Sequence, residues 1–196
     1  MMKPLVAIVI LCTLAALWSG CASPPSRFYT LSPAAAPVSA SASYSVMVGP
    51  VSVPEDVDRP QMVVRVGPNQ VVIDEFNRWA SPLPNDIARI VAQNLVLLLG
   101  TPLVTVFPQS ASAGALYRVG VEVMGFESAP GEGATLDAVW MVRCTKDGRL
   151  RTGRATLREP VPDRSYAALA AGHSRALGRL SDEIAGAIRA LEREGS

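Results

Sequence analysis

Ala134-Thr135-Leu136-Asp137-Ala138-Val139-Trp140-Met141-Val142-Arg143-Cys144 is the stretch that decides the fold class. Side chains alternate across a strand, so residues two apart share a face. Ala134, Leu136, Ala138, Trp140, Val142 and Cys144 then form one apolar face, with Asp137 and Arg143 on the other. That is a strand with one buried and one wet side. Residues 115–127 alternate in the same way, and the glycine-containing segment Gly125 to Gly133 reads as the turn between the two. Downstream, Lys146-Asp147-Gly148 is a tight turn into a third run, Leu150 to Leu157.

Working outward, the C-terminal segment from Ser165 to Glu192 changes period. Leu169, His173, Leu177, Leu180, Ile184, Ile188 and Leu191 recur three or four apart, as on the buried stripe of a helix. A second helix is expected where Pro82 and Pro84 with Asn85 and Asp86 supply a start. Ile87, Ile90, Val91, Leu95 and Leu98 follow at helical spacing, and Gly100 with Pro102 ends it. A short strand covers Leu103 to Phe107. Before the helix, Met62–Val66 and Gln70–Ile73 flank Gly67-Pro68-Asn69 as a hairpin, preceded by a strand-like run from Tyr44 to Pro54. Arg27 to Leu31 favours a short strand, and the Ser, Ala and Pro of residues 32–43 read as a loop or flexible spacer. Strands, a helix, more strands and a final helix predict a single α+β domain over residues 44–192. Its sheet is mostly antiparallel or mixed, with two main helices packed on one face.

The N-terminus is of a different kind. Lys3 precedes an apolar run from Leu5 to Leu17, and Trp18-Ser19-Gly20-Cys21 closes it. A cation, an apolar stretch and small residues before a cut site are a secretory signal. Small residues followed directly by cysteine resemble the lipobox of bacterial lipoproteins, although Trp18 stands where the usual box has Leu. The resemblance implies that residues 1–20 are removed and that Cys21 is acylated and heads the mature chain. Residues 21–43 then form the lipidated N-terminus, short strand and spacer. Several acyl chains on one thiol give a stable tether, whereas a single chain binds reversibly. By the sorting rule of that family, Ala22 after the cysteine points to the outer membrane, periplasmic face.

Charge and chemistry exclude several classes. Of all the charged residues only Lys3 lies before Cys21, so the remainder carries 17 acidic and as many basic side chains. A nucleic-acid binder needs a cationic surplus to displace counterions from phosphates. The one histidine, His173, falls on the core stripe of the last helix and reads as a structural residue. Ser174 points about 100° away from it around the helix, and no Gly-x-Ser-x-Gly elbow is present. One histidine and one mature thiol cannot close a metal shell, so no cofactor is expected beyond the covalent lipid on Cys21. Cys144 reads as a buried, inert thiol. Arg149, Arg151, Arg154 and Arg158 form a basic strand edge that discourages edge pairing or faces anionic lipid.

Arg59, Arg78 and Trp79 have two readings. Arginine and tryptophan dominate interface hot spots, so the three form an exposed anchor for a protein partner. Alternatively, Trp79 fills the core edge while Arg59 or Arg78 pairs with Asp58, Asp74 or Glu75.

An ordered set of segments resembles the PqiC/YmbA group, the auxiliary lipoproteins of ABC-type transport systems. The matching residues are Phe28-Tyr29-Thr30-Leu31, Gly49-Pro50-Val51-Ser52-Val53-Pro54, Asp58-Arg59-Pro60-Gln61-Met62-Val63 and Arg78-Trp79-Ala80-Ser81-Pro82-Leu83. Asn94-Leu95, Leu136-Asp137-Ala138-Val139-Trp140 and Tyr166-Ala167-Ala168-Leu169 running into Ala176-Leu177 complete it. The likeness covers about residues 27–191. It implies a non-enzymatic accessory of a system moving lipids between the two membranes. Its partners are an MCE-domain periplasmic protein and a membrane transporter, and a homo-oligomer is left open. A free-standing periplasmic lipid-binding lipoprotein is the alternative, and a periplasmic hydrolase a third reading.

Overall fold

A computed structural model describes residues 24–39, 42–108 and 114–195. Cys21 and the whole leader lie outside them. Eight strands form one mixed sheet: β1 (Arg27–Tyr29), β2 (Val46–Ser52), β3 (Gln61–Gly67), β4 (Gln70–Trp79), β5 (Val104–Val106), β6 (Tyr117–Ala129), β7 (Gly133–Cys144) and β8 (Leu150–Glu159). Helix α1 (Leu83–Leu99) follows β4, and α2 (Tyr166–Gly195) closes the chain. The domain is α+β, as the order of elements predicts.

The antiparallel ladders β3–β4, β6–β7 and β7–β8 are the long ones, while β1 joins β4, and β5 and β6 join β2, in parallel. β6 organises the sheet. One edge carries β7 along its whole length; the other pairs first with β2 and then, at Ser128, with β3. The β7 alternation holds without exception: its six named apolar residues are all buried. β6 alternates only as far as Val123. There Val123 opposes Ala138 but Gly125 opposes Asp137, so Met124 is an extra residue. Such a bulge reverses which residues face inward, turning Phe126 and Ser128 to the core. Pairing continues to Ala129–Gly133, so the turn expected over Gly125 to Gly133 shrinks to residues 130–132.

Both helices cover the same face. α1 packs on β2 and β5, α2 on β7 and β8, and the two pack on each other. α1 ends as its sequence says, Gly100 taking the left-handed conformation with φ 65° and donating its N–H to Val96 O. Arg189 of α2 satisfies another end carbonyl, donating to Leu98 O at 2.6 Å. Every residue of the expected α2 stripe, His173 included, is buried.

Residues 32–39 have no regular structure, as a loop requires, yet they are a strap and not a free spacer. Leu31 N–H donates to Asp86 Oδ2, Ser32 N–H to Ser174 Oγ, Ala34 and Ala35 N–H to Asn94 Oδ1, and Val38 N–H to Leu97 O. Asp86, Asn94 and Leu97 belong to α1 and Ser174 to α2, so the strap touches both helices along their seam. Small residues permit the approach: a Cβ on Gly178 would meet Ala34 Cβ at 3.2 Å.

Candidate functional site

The most developed surface feature gathers residues from the entry of β3 and the exit of β4. A turn at residues 54–58 is closed by Val57 and Asp58 N–H donating to Pro54 O. Pro60 follows; it lacks an N–H, and its carbonyl accepts from Trp79 N–H at 2.7 Å. Ser81 and Pro82 lead on into α1, whose first turn carries no side-chain cap. Together they enclose a cleft of about 240 Å³ lined by Asp58, Arg59, Pro60, Trp79, Ser81 and Pro82. Arg59 is half-buried, and its Nε is shut off from solvent with no hydrogen-bond partner. A buried donor left unpaired costs about 1–3 kcal/mol, and more when charged. The unpaired Arg59 donor leaves the cleft able to take a hydrogen-bond acceptor, with Asp58 on its lining and Asp86 in the first turn of α1 offsetting part of the positive charge.

The two readings of Arg59, Arg78 and Trp79 each fail in part. Trp79 is not an exposed anchor. It is 6% exposed, its ring set edge-on to Phe126 with centroids 6.0 Å apart, and it forms part of the cleft's lining. The arginines, however, do not make the expected ion pairs. Asp74 is occupied by the Tyr166 hydroxyl at 2.7 Å and by the N–H groups of Phe76 and Asn77. Burial opposes its charge, but these donors outweigh it and hold its pKa at about 2. Glu75 instead accepts from Gln61. Arg78 lies on the opposite face of β4 from Trp79, level with Phe28 of β1, and its Nε too is buried without a partner. Arg59 and Trp79 thus share the cleft, and Arg78 flanks it from the other side of the strand.

Under the cleft, His173 is fully buried. Its ring stacks on Phe126 at 3.7 Å and 8°, with Nε2 2.9 Å from Ser128 Oγ. Burial pushes its pKa down to about 3, so the ring is neutral. Nδ1 has no partner, so no acid orients the imidazole as a catalytic triad requires. Ser128 is itself buried. The pair is a packed core contact, as the sequence reading of His173 expects. Ser128 escaped that reading because Gly125 to Gly133 reads as a turn and strict alternation along residues 115–127 carried no further; Gly125 inside the strand is the one local sign of a bulge.

Cys144 is buried on the Trp140 face, as expected. Arg149, just before β8, and the β8 arginines are spoken for: Arg149 with Asp147, Arg151 with Glu194, Arg154 with Asp137, and Arg158 3.8 Å from Glu132. Among the described residues no cluster of three or more metal-ligating side chains occurs, and no helix is long and apolar enough to cross a membrane.

Residues 29–185 match the family model for the ABC-type transport auxiliary lipoprotein component. The chain belongs to that family. No curated protein matches the auxiliary lipoprotein significantly. Among solved structures it is similar to a protein of Xanthomonas campestris, with 20% identity and a TM-score of 0.71 over 87% of this chain and 100% of that one. A second similar structure, of an uncharacterized protein, shows 21% identity and a TM-score of 0.69, covering 84% of this auxiliary lipoprotein and 99% of its neighbour. At such identities the likeness speaks for the fold.

Proposed function

We propose that this auxiliary lipoprotein is a non-catalytic subunit of an MCE/ABC-type system that moves lipids between the two membranes and so maintains envelope integrity. Acyl chains on Cys21 hold it to the periplasmic face of the outer membrane. The observation that carries this reading is the family match over residues 29–185, which spans the sheet and most of α2. The strap supports the tether. Leu31 is the first buried residue of the chain as described, and the ten residues from Ala22 to Leu31 reach at most about 35 Å when fully extended. The domain is therefore kept close to its membrane. Arg59, in the cleft walled by Trp79, is the docking point for an acidic side chain of the periplasmic MCE protein, and Arg78, on the opposite face of β4, is a separate contact outside the cleft.

The test is co-purification from solubilised envelopes, with intact-mass measurement of the mature chain. The expected result is an acylated Cys21, removal of residues 1–20, and an MCE-type protein that is retained by the native chain and lost with Arg59→Glu and Arg78→Glu. A complex that assembles normally without this subunit, together with an unchanged envelope barrier on its deletion, would overturn the proposal.

A further inference from the structure

On the face of the sheet turned away from both helices, Arg118 of β6 and Arg143 of β7 are direct cross-strand partners. Side chains so paired leave one face about 5 Å apart at Cβ, and like charges there repel. Neither arginine has a carboxylate partner among the described residues. The same sheet satisfies other arginines, Arg65 with Glu127 and Glu132, and Arg154 with Asp137. The opposed pair is thus a local exception.

The two arginines border an open cavity of about 380 Å³ whose other side-chain walls include Met47, Pro50, Phe107 and Met141. Two glycines shape it. A Cβ on Gly120 would meet Met141 Cγ at 3.2 Å, and one on Gly49, where φ is 116°, would meet Phe107 Cβ at 3.1 Å. Phe107 is fixed to β2 by its N–H, which donates to Val48 O at 2.9 Å. Phe107 is nonetheless 51% exposed and Met141 37%, so an apolar trough lies open next to two unneutralised cations.

We infer that this face binds one anionic phospholipid molecule. Its phosphate lies between Arg118 and Arg143, and the first part of an acyl chain lies over Phe107 and Met141. Guanidinium forks match phosphate oxygens and form charge-assisted bonds with them. The occupant must also cover the trough, which a free anion leaves bare. The inference stands on strand register and cavity chemistry and does not require the transport assignment.

Native mass spectrometry of the full, detergent-solubilised lipoprotein tests it, with dioleoyl phosphatidylglycerol, dioleoyl phosphatidylcholine and inorganic phosphate as separate probes. The expected result is a one-to-one phosphatidylglycerol adduct about tenfold more abundant than the phosphatidylcholine adduct. Arg118→Ser with Arg143→Ser should abolish that preference, and Met141→Gln should weaken lipid retention while leaving phosphate retention unchanged. Circular dichroism confirms that these surface variants are folded. Equal adducts of the two lipids, or a double variant that retains phosphatidylglycerol as the native chain does, would overturn the inference. So would phosphate binding without lipid preference, or a protein held through these arginines with no lipid adduct. The readout is taken on the isolated chain, so its failure is separate from a failure to co-purify with a transporter.

Discussion

Asn94 of α1 and Ser181 of α2 meet across the helix seam, Asn94 Nδ2 donating to Ser181 Oγ at 3.3 Å. The same amide's Oδ1 accepts from the N–H groups of Ala34 and Ala35 at 3.0 and 3.1 Å. One fully buried side chain therefore joins both helices to the N-terminal strap.

Asn94→Ala leaves two strap N–H groups short of a partner, while the Ser181 hydroxyl keeps its bond to Leu177 O at 2.7 Å. The expected loss of stability is about 1–3 kcal/mol, with faster amide hydrogen exchange at Ala34 and Ala35. Chemical denaturation and exchange mass spectrometry read both. Unchanged protection of the strap would mean that it is held by other contacts.

His173 makes stability fall with acid. Its folded pKa is about 3 against 6.5 for a free imidazole. Above pH 6.5 the ring is neutral in both states and contributes no pH dependence. Below it only the unfolded chain takes the proton, so stability is lost as pH falls towards 3, by up to about 1.4 kcal/mol per pH unit. Asp74 has the same sign in a lower window, its depressed folded pKa adding stability that is lost only in stronger acid, from the ordinary 3.8 down to about 2. Urea midpoints at about pH 6 and 5 therefore isolate the histidine. His173→Gln should flatten that slope and leave transport function intact. A loss of function in a normally folded variant would count against the structural role of this residue.

Gly153 of β8 lies directly opposite Trp140 of β7, and the indole occupies the space a side chain would need. A Cβ at 153 would come within 2.4 Å of Trp140 Cζ2. Gly153→Ala must push the indole aside and disturb its Nε1–H bond to Glu183 Oε2 on α2. Overpacking of this kind costs about 1–3 kcal/mol. A lowered Tm with a shifted tryptophan emission is expected; a variant as stable as the native chain would show that the β8–α2 contact is slack.

Cys144, 2% exposed between the sheet and the helices, should resist alkylation in the folded protein and react fully in denaturant, since a thiol must reach solvent to be attacked. Mass measurement after iodoacetamide treatment checks this. Rapid modification under native conditions would place the β7 end in frequent local opening.

Much of this architecture is legible along the chain because burial imposes a period on each element. The β7 alternation, the α2 stripe and the Gly100 stop of α1 are each decided by a few neighbouring residues. So are the β3–β4 hairpin and the structural reading of His173. Period alone could not show the Met124 bulge, because one inserted residue reverses the inward set without altering composition. It is this reversal that brings Ser128 to His173. The small residues of 32–39 looked like a spacer for a related reason: alanine and serine suit a loop, and equally suit a backbone pressed between two helices.

The sequence by itself determined the fold class, the order of the elements and the core faces of β7 and both helices, since these depend on apolar spacing within single segments. Only the tertiary structure decided that Arg59 shares a cleft with Trp79 while Arg78 faces the other way, that Arg118 and Arg143 oppose one another, and that the strap is anchored. Each of these depends on register between segments far apart in the chain. Such register is set only when all the strands and both helices close on one core.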